Sequence, residues 1–199
     1  LEPESLNCEA ILQAWYPWQA GGQAVAEVLF GDYNPAGKLP LTFYRNLAQI
    51  PDFEDYNMTG RTYRYMKETP LFPFGHGLSY TTFKYGKLKM NDDKIAVGQN
   101  LNLVIPVTNT GSRDGDEVVQ VYLKKMDDTE GPVKTLRAFK RVRIPAGKTV
   151  EVKFSLDDTQ LEWWDEQSNT MRVCPGNYTV MIGGTSCEKS LLSRAFTIR

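Results

Sequence analysis

The strongest constraint in this chain is a period of two that begins near Phe83. Leu101, Leu103, Ile105 and Val107 fall at alternate positions, as do Val119, Val121 and Leu123. Val150, Val152 and Phe154 alternate with Glu151, Lys153 and Ser155. Tyr178, Val180 and Ile182 repeat the pattern, and so do Phe196 and Ile198. Successive side chains of a strand point to opposite faces, so each run builds a strand with one buried face. Asn109-Thr110-Gly111, Glu130-Gly131-Pro132, Pro145-Ala146-Gly147 and Cys174-Pro175-Gly176-Asn177 supply turn signals between the runs. About seven short half-buried strands punctuated in this way predict a β-sandwich over residues 83–199.

Residues 1–82 follow no such rule. Ala10–Trp15 is short and apolar, as a buried strand would be. Gly21-Gly22 then opens a segment in which Ala24, Val25, Val28 and Leu29 share one helical face. Gly31 stands where a helix C-cap belongs. Asn34-Pro35-Ala36-Gly37 reads as a turn, and Lys38–Phe43 as a second short strand. Strand, helix and strand without alternation predict the edge of an α/β sheet covered on both faces. Residues 46–82 carry Tyr56, Tyr63, Tyr65, Phe72, Phe74 and Tyr80 among prolines and glycines, with no clear period. A long structured connector is the expectation. The chain thus divides into 1–82 and 83–199.

Composition narrows the function. The 199 residues fit one or two domains, and 41% apolar with 24% charged residues is ordinary for a folded soluble protein. A net charge of −1 argues against a general nucleic-acid or anionic-membrane binder. The longest apolar runs fall far short of a membrane span. Leu1-Glu2-Pro3-Glu4 is acidic where a signal peptide would be basic, and the first residue is not Met, so a processed or truncated piece is expected. Three widely spaced cysteines (Cys8, Cys174 and Cys187) are no disulfide framework, although Cys174 and Cys187 could pair across neighbouring strands. One histidine and no C-x-x-C pair argue against a zinc site.

Each tempting constellation has a plainer reading beside it. Gly31–Lys38 imitates a phosphate-binding loop, but its glycines are one residue too far apart and Leu39 replaces the needed Ser or Thr. It reads as a helix stop and turn. Gly21-Gly22 could present free N–H groups to an anion, or simply allow close packing. His76, between two glycines, has no nucleophile elbow to serve and reads as a tight turn at a domain junction. Asp52, Glu54 and Asp55 could supply the paired carboxylates of glycoside hydrolysis, or only face water. Trp163-Trp164 reads as one ring in and one out of the sandwich. Trp15-Tyr16-Pro17-Trp18 follows the first expected strand, where α/β ligand crevices lie, which makes Trp15 the better ligand candidate.

Longer ordered matches carry a family resemblance. Ala14-Trp15-Tyr16-Pro17, Gly21-Gly22-Gln23-Ala24 and the stretch Val28–Phe43 resemble the end of the α/β sandwich domain of family 3 glycoside hydrolases. Gly60-Arg61-Thr62-Tyr63-Arg64-Tyr65 and Pro70–Phe83 resemble that family's connector. Val107–Ser112, Gly115–Leu123 and Leu136–Val142 resemble its fibronectin type III-like domain. The chain departs from the family pattern at Trp18, where Gly is usual, and at Ala20, where Glu is common.

The resemblance implies a mainly β protein: a fibronectin type III-like, immunoglobulin-like β-sandwich preceded by the C-terminal remnant of an α/β sandwich domain. It implies a retaining β-glycosidase parent that removes terminal xylose or glucose with two carboxylates and no metal or organic cofactor. Those carboxylates belong to upstream regions, and no residue here matches either catalytic motif. Catalytic residues are therefore expected to be none, and the chain alone inactive. Gly60–Tyr65 leans toward the β-xylosidase-like branch. Arg61 and Tyr63 are the connector's candidates for substrate contact, with Trp15 beside them; anchoring the loop is the alternative. Expected partners are a β-linked oligosaccharide or aryl glycoside in the parent enzyme and an N-terminal barrel domain, with no nucleic acid. The unpaired edges and apolar faces of residues 1–45 should dock on the sandwich, on another copy by self-association, or on a missing partner. The family implies a periplasmic or secreted location. A carbohydrate-binding or adhesion module is the alternative function. Asn57-Met58-Thr59 and Asn177-Tyr178-Thr179 also fit the glycosylation pattern.

Overall fold

The alternating runs form the two sheets they predict. The computed structural model describes residues 7–199, so Leu1–Glu4 lies outside the described residues. In the first sheet, β4 (Leu101–Asn109) pairs along one edge with β7 (Thr149–Leu156) and along the other with β1 (Phe83–Tyr85) and β2 (Lys89–Met90). The second sheet runs β3 (Lys94–Ile95), β11 (Leu192–Ile198), β10 (Gly176–Gly183), β5 (Gly115–Lys125), β6 (Thr135–Ile144). All of its pairings are antiparallel except β3 with β11. A short ribbon, β8 (Trp163–Asp165) with β9 (Thr170–Arg172), closes one end.

The core lies between the sheets and consists of the alternating residues. Leu101, Leu103, Ile105 and Val107 of β4 face Val119, Val121 and Leu123 of β5, all fully buried. Each such side chain removed from water contributes about 1.5–3 kcal/mol. Tyr178 is buried with its hydroxyl donating to the Cys174 carbonyl at 2.7 Å, and its ring stacks on Phe196. Trp163 packs edge-on against Tyr178 and donates from Nε1 to Asp128 at 2.7 Å. The tryptophan pair divides as expected, with Trp163 4% and Trp164 49% exposed.

One buried polar residue ties the sheets together at their end. Asn109 accepts at Oδ1 from Thr81 Oγ1 (2.5 Å) and the Gly111 N–H (3.0 Å). Its Nδ2 donates to the Arg113 carbonyl (2.7 Å) and the Ile144 carbonyl (2.9 Å). All four bonding positions of the amide are filled, as burial demands.

Residues before 83 depart from the sequence reading at several points. The helix forms, as α1 (Gly21–Phe30), and Gly31 caps it in the left-handed region at φ 82. The two flanking strands do not form. Ala10–Trp15 has no regular structure, and Ile11, Leu12 and Trp15 are exposed. Lys38–Phe43 makes one isolated bridge, Phe43 with Phe72. A strand exists only with a ladder partner, and residues 7–45 bring none to these segments. Asn34–Gly37 is not a turn; the chain bends at Gly31–Tyr33 instead. Cys174–Asn177 is not a turn either, because Gly176 already belongs to β10. Cys174 and Cys187 do not pair: Cys174 is a buried free thiol and Cys187 an exposed one. Residues 46–82 form the expected connector, whose regular pieces are a 3₁₀ turn at Leu47–Gln49 and the short helix α2 (Thr62–Tyr65).

Replacing Asn109 by Ala strands two carbonyls and the Thr81 hydroxyl inside the protein. The expected loss is about 2–3 kcal/mol in denaturant unfolding, against less than about 0.5 kcal/mol for a surface control such as Lys153→Ala.

Candidate functional site

Strand β5 is buried on both faces, and its second face is where the connector docks. Val119, Val121 and Leu123 point into the core, while Gln120 and Tyr122 point away and are buried too. Tyr63 of α2 covers Tyr122 edge-on at 5.9 Å between ring centroids and stacks on Phe74 at 4.3 Å. Its hydroxyl accepts from the Leu136 N–H at 3.2 Å. Gln120 Nε2 donates to the Gly184 carbonyl (2.7 Å) and the Gly75 carbonyl (3.3 Å), and its Oε1 accepts from the Tyr122 hydroxyl. Gly75 holds φ 76, and a Cβ there would overlap the Gln120 amide. The turn that carries His76 must therefore be glycine at its tightest point.

A charged pair lies beside this amide. Glu117 is buried, and its carboxylate receives Lys38 Nζ at 3.4 Å and the Tyr85 hydroxyl at 2.9 Å. Lys38 Nζ also donates to the Gly77 carbonyl at 3.2 Å. The cluster joins the segment after α1 to both sheets. Burial pushes the Glu117 carboxyl above its usual range, with Lys38 and Tyr85 opposing. Burial, and then the Glu117 charge, push the Tyr85 hydroxyl far up, so it stays a donor.

Asn34 makes the third tie. Its Oδ1 accepts from Ser79 Oγ and the Tyr80 N–H, both at 2.8 Å, and its Nδ2 donates to the Asp114 carbonyl at 2.9 Å. The Tyr80 hydroxyl in turn donates to the Val28 carbonyl at 2.6 Å. Gln120, Glu117 and Asn34 escaped the sequence reading. The near-continuous run Val118-Val119-Gln120-Val121-Tyr122-Leu123 was the available signal, since such runs mark strands covered on both faces.

The three sequence candidates occupy different places. Arg61 folds back into its own loop, its Nε donating to the Asn57 carbonyl at 2.9 Å and its Nη2 to the Asp52 and Asp55 carbonyls. Tyr63, two residues on, faces the sandwich. Trp15 stands in the irregular segment before α1, about half exposed, with its backbone in the left-handed region at φ 54. The strand expected to precede it is absent, so no strand-end crevice forms there.

The carboxylates of the loop serve its backbone. Asp52 accepts from the Glu54 N–H at 3.0 Å, and Asp55 accepts from the Asn57 backbone and side chain. Those Asn57 bonds hold the Asp55 carboxyl below its usual range. His76 stacks on Phe72 at 5.3 Å, and its carbonyl accepts from the Leu39 N–H. Burial and the Lys38 charge lower its proton affinity, so the ring is neutral at pH 7. Gly21 packs against Pro17, whose ring leaves no room for a Cβ. Among the described residues, no group of three or more His, Cys, Asp or Glu is placed to hold a metal ion.

Comparison with known proteins finds two family matches along the chain. Residues 1–80 match the glycosyl hydrolase family 3 C-terminal domain, and residues 117–186 match the fibronectin type III-like domain. A xylan 1,4-beta-xylosidase of Xylanibacter ruminicola is 52% identical over 198 residues, covering 100% of this chain and 23% of the relative. A periplasmic beta-glucosidase of Salmonella typhimurium is 38% identical, covering 94% of this chain and 26% of the relative. Among solved structures, a β-glucosidase from Erythrobacter marinus superposes with a TM-score of 0.85 at 38% identity, over 98% of this chain and 26% of that one. The chain thus spans about a quarter of the length of these relatives.

The burial of Glu117 has a pH signature. Its folded carboxyl binds a proton more tightly than the unfolded one, so its contribution to stability is full below the unfolded value and is lost as pH rises through the folded value. Relative to Glu117→Gln, the wild-type chain should lose stability in denaturant titrations as pH rises above the ordinary carboxyl value of about 4.3. A difference that stays flat, or that runs the other way, would mean that Lys38 and Tyr85 outweigh burial.

Proposed function

The chain belongs to glycoside hydrolase family 3, whose C-terminal part it carries, and on that premise we propose that it serves a longer β-glycosidase as a non-catalytic scaffold. The parent enzyme removes terminal β-linked xylose or glucose by double displacement between two carboxylates held upstream of this chain. The division of labour is residues 1–82 as the tail of an α/β domain with its connector, and residues 83–199 as the sandwich that braces it. The 52% identity to a xylan 1,4-beta-xylosidase supports xylose over glucose. The periplasmic relative supports a periplasmic or secreted location.

One observation carries the scaffold reading. Helix α1 has no buried residue, and Leu29 and Phe30 are 65% and 85% exposed. An amphipathic helix leaves its apolar face open only when another surface is meant to cover it. Meanwhile the segment after α1 is fixed to the sandwich through Lys38 to Glu117, Asn34 to the Asp114 carbonyl and the Gly31 carbonyl to Arg113. The chain is built to hold something on one side while being anchored on the other. In this reading Arg61 and Tyr63 position the connector backbone, and contact with sugar falls to whatever the rigid loop presents.

Trp15 and Trp18, 48% and 90% exposed, favour carbohydrate binding as the second reading. Two measurements separate the readings. The purified chain should hydrolyse neither aryl β-xyloside nor aryl β-glucoside above buffer. Turnover that co-purifies with the protein and disappears in Asp52→Asn, Glu54→Gln or Asp55→Asn would overturn the scaffold reading. Saturable binding of xylo-oligosaccharide by the isolated chain, abolished by Trp15→Ala, would favour the second reading instead.

A further inference from the structure

Two arginines meet the seam between connector and sandwich without a counter-charge. Arg64 belongs to α2. Its carbonyl accepts from the Val133 N–H at 2.7 Å, and its guanidinium stands 5.5 Å from the centre of the Tyr65 ring. Arg137 is the odd residue in the pairing of β5 with β6. Val121 faces Ala138 and Tyr122 faces Leu136, which leaves Arg137 unmatched at a β-bulge. Bulges re-aim the side chain they carry. The Arg137 guanidinium lies 5.2 Å from the centre of the Trp163 ring and donates once, to the Glu162 carbonyl at 2.7 Å.

The polar inventory at this seam is incomplete. The Nε atoms of both arginines are buried without a hydrogen-bond partner, and so is Oγ1 of Thr135, two residues before Arg137. Three other arginines of the sandwich are paired: Arg141 with Asp116, Arg143 with Asp114, Arg172 with Asp165. Among the described residues, no ion pair reaches Arg64 or Arg137. Burial lowers the proton affinity of Arg137, the Arg64 charge lowers it further, and Glu162 opposes them from beyond ion-pair distance. A guanidinium stays charged at any ordinary pH, so it cannot relieve this by losing a proton. Two neighbouring, partly dehydrated like charges with idle donors call for an anion.

We propose that Arg64 and Arg137 form an anion site that takes a carboxylate or a small oxyanion. The flat guanidinium forks are held against Tyr65 and Trp163, so they meet the anion with little loss of side-chain freedom. The site uses none of the loop residues 50–61 and is independent of the scaffold reading above.

The test is a titration of the 199-residue chain with sodium sulfate and, separately, sodium malonate, followed through the arginine Nε–H resonances by NMR. Sodium chloride at matched ionic strength is the reference. The Arg64 and Arg137 signals should shift saturably with either anion and not with chloride. Arg64→Gln should weaken the Arg137 response about tenfold, the worth of one charge-assisted bond. Arg64→Lys keeps the charge without the fork, so it should fall between the two. It also guards against a Gln variant that fails to fold. Tighter malonate binding assigns a carboxylate as the natural occupant, and tighter sulfate an inorganic oxyanion; either result upholds the site. Shifts that grow linearly, that chloride reproduces, or that Arg64→Gln leaves unchanged would overturn it.

Discussion

A strand buried on both faces must satisfy packing on one side and polar bonding on the other, and β5 sets this condition for the whole chain. Its inward residues close the sandwich core. Its outward Gln120 and Tyr122 are buried only because the connector lies over them. A buried amide without partners costs more than its bonds return, so Gln120 demands the Gly75 and Gly184 carbonyls where they stand. That demand fixes the turn before His76, and the turn delivers Gly77 to Lys38. The connector therefore has no regular element longer than the four residues of α2 and is still held in one place. Its order comes from side-chain bonds to a rigid neighbour.

This explains which parts of the fold were legible from sequence. The sandwich core was, because Leu101, Val121 and Ile182 sit in strands whose partners lie in the same chain. A period of two becomes a ladder once those partners exist. Ala10–Trp15 and Lys38–Phe43 carry the composition of buried strands without strands to pair with, so local preference there had nothing to complete it. The missed hubs share a cause. Gln120, Glu117 and Asn34 are ordinary polar residues, and only long-range contacts make them structural. Arg61 and Tyr63 were singled out as polar groups in a connector; their donors and rings turn toward backbone and sandwich, a direction that spacing cannot reveal.

The two halves of the chain differ in how complete they are. Residues 83–199 bury an apolar core of their own, and the amide of Asn109 is filled once Thr81 joins it. Residues 7–45 do not: α1 is anchored by its ends and its following loop, while its apolar face stays open. Such asymmetry is what a brace requires, since a brace must be stiff alone and sticky only toward its load. The anion site at Arg64 and Arg137 repeats this asymmetry in electrostatic form, with cations fixed by the fold and the matching negative charge left for a partner.

The parallel pairing of β3 with β11 has a mechanical meaning. Arg199 donates to the Ile95 carbonyl at 2.9 Å, and its own carbonyl accepts from Val97 at 3.1 Å, so the final residues are stitched beside the strand that enters the second sheet. In a parallel pair, tension drawn from the entering end of β3 and the leaving end of β11 runs along the strands in opposite directions. The bonds are then loaded together in shear and do not peel one after another. Force applied along β3 and β11 in this way meets a clasp, whereas the same force across an antiparallel hairpin would meet a zipper.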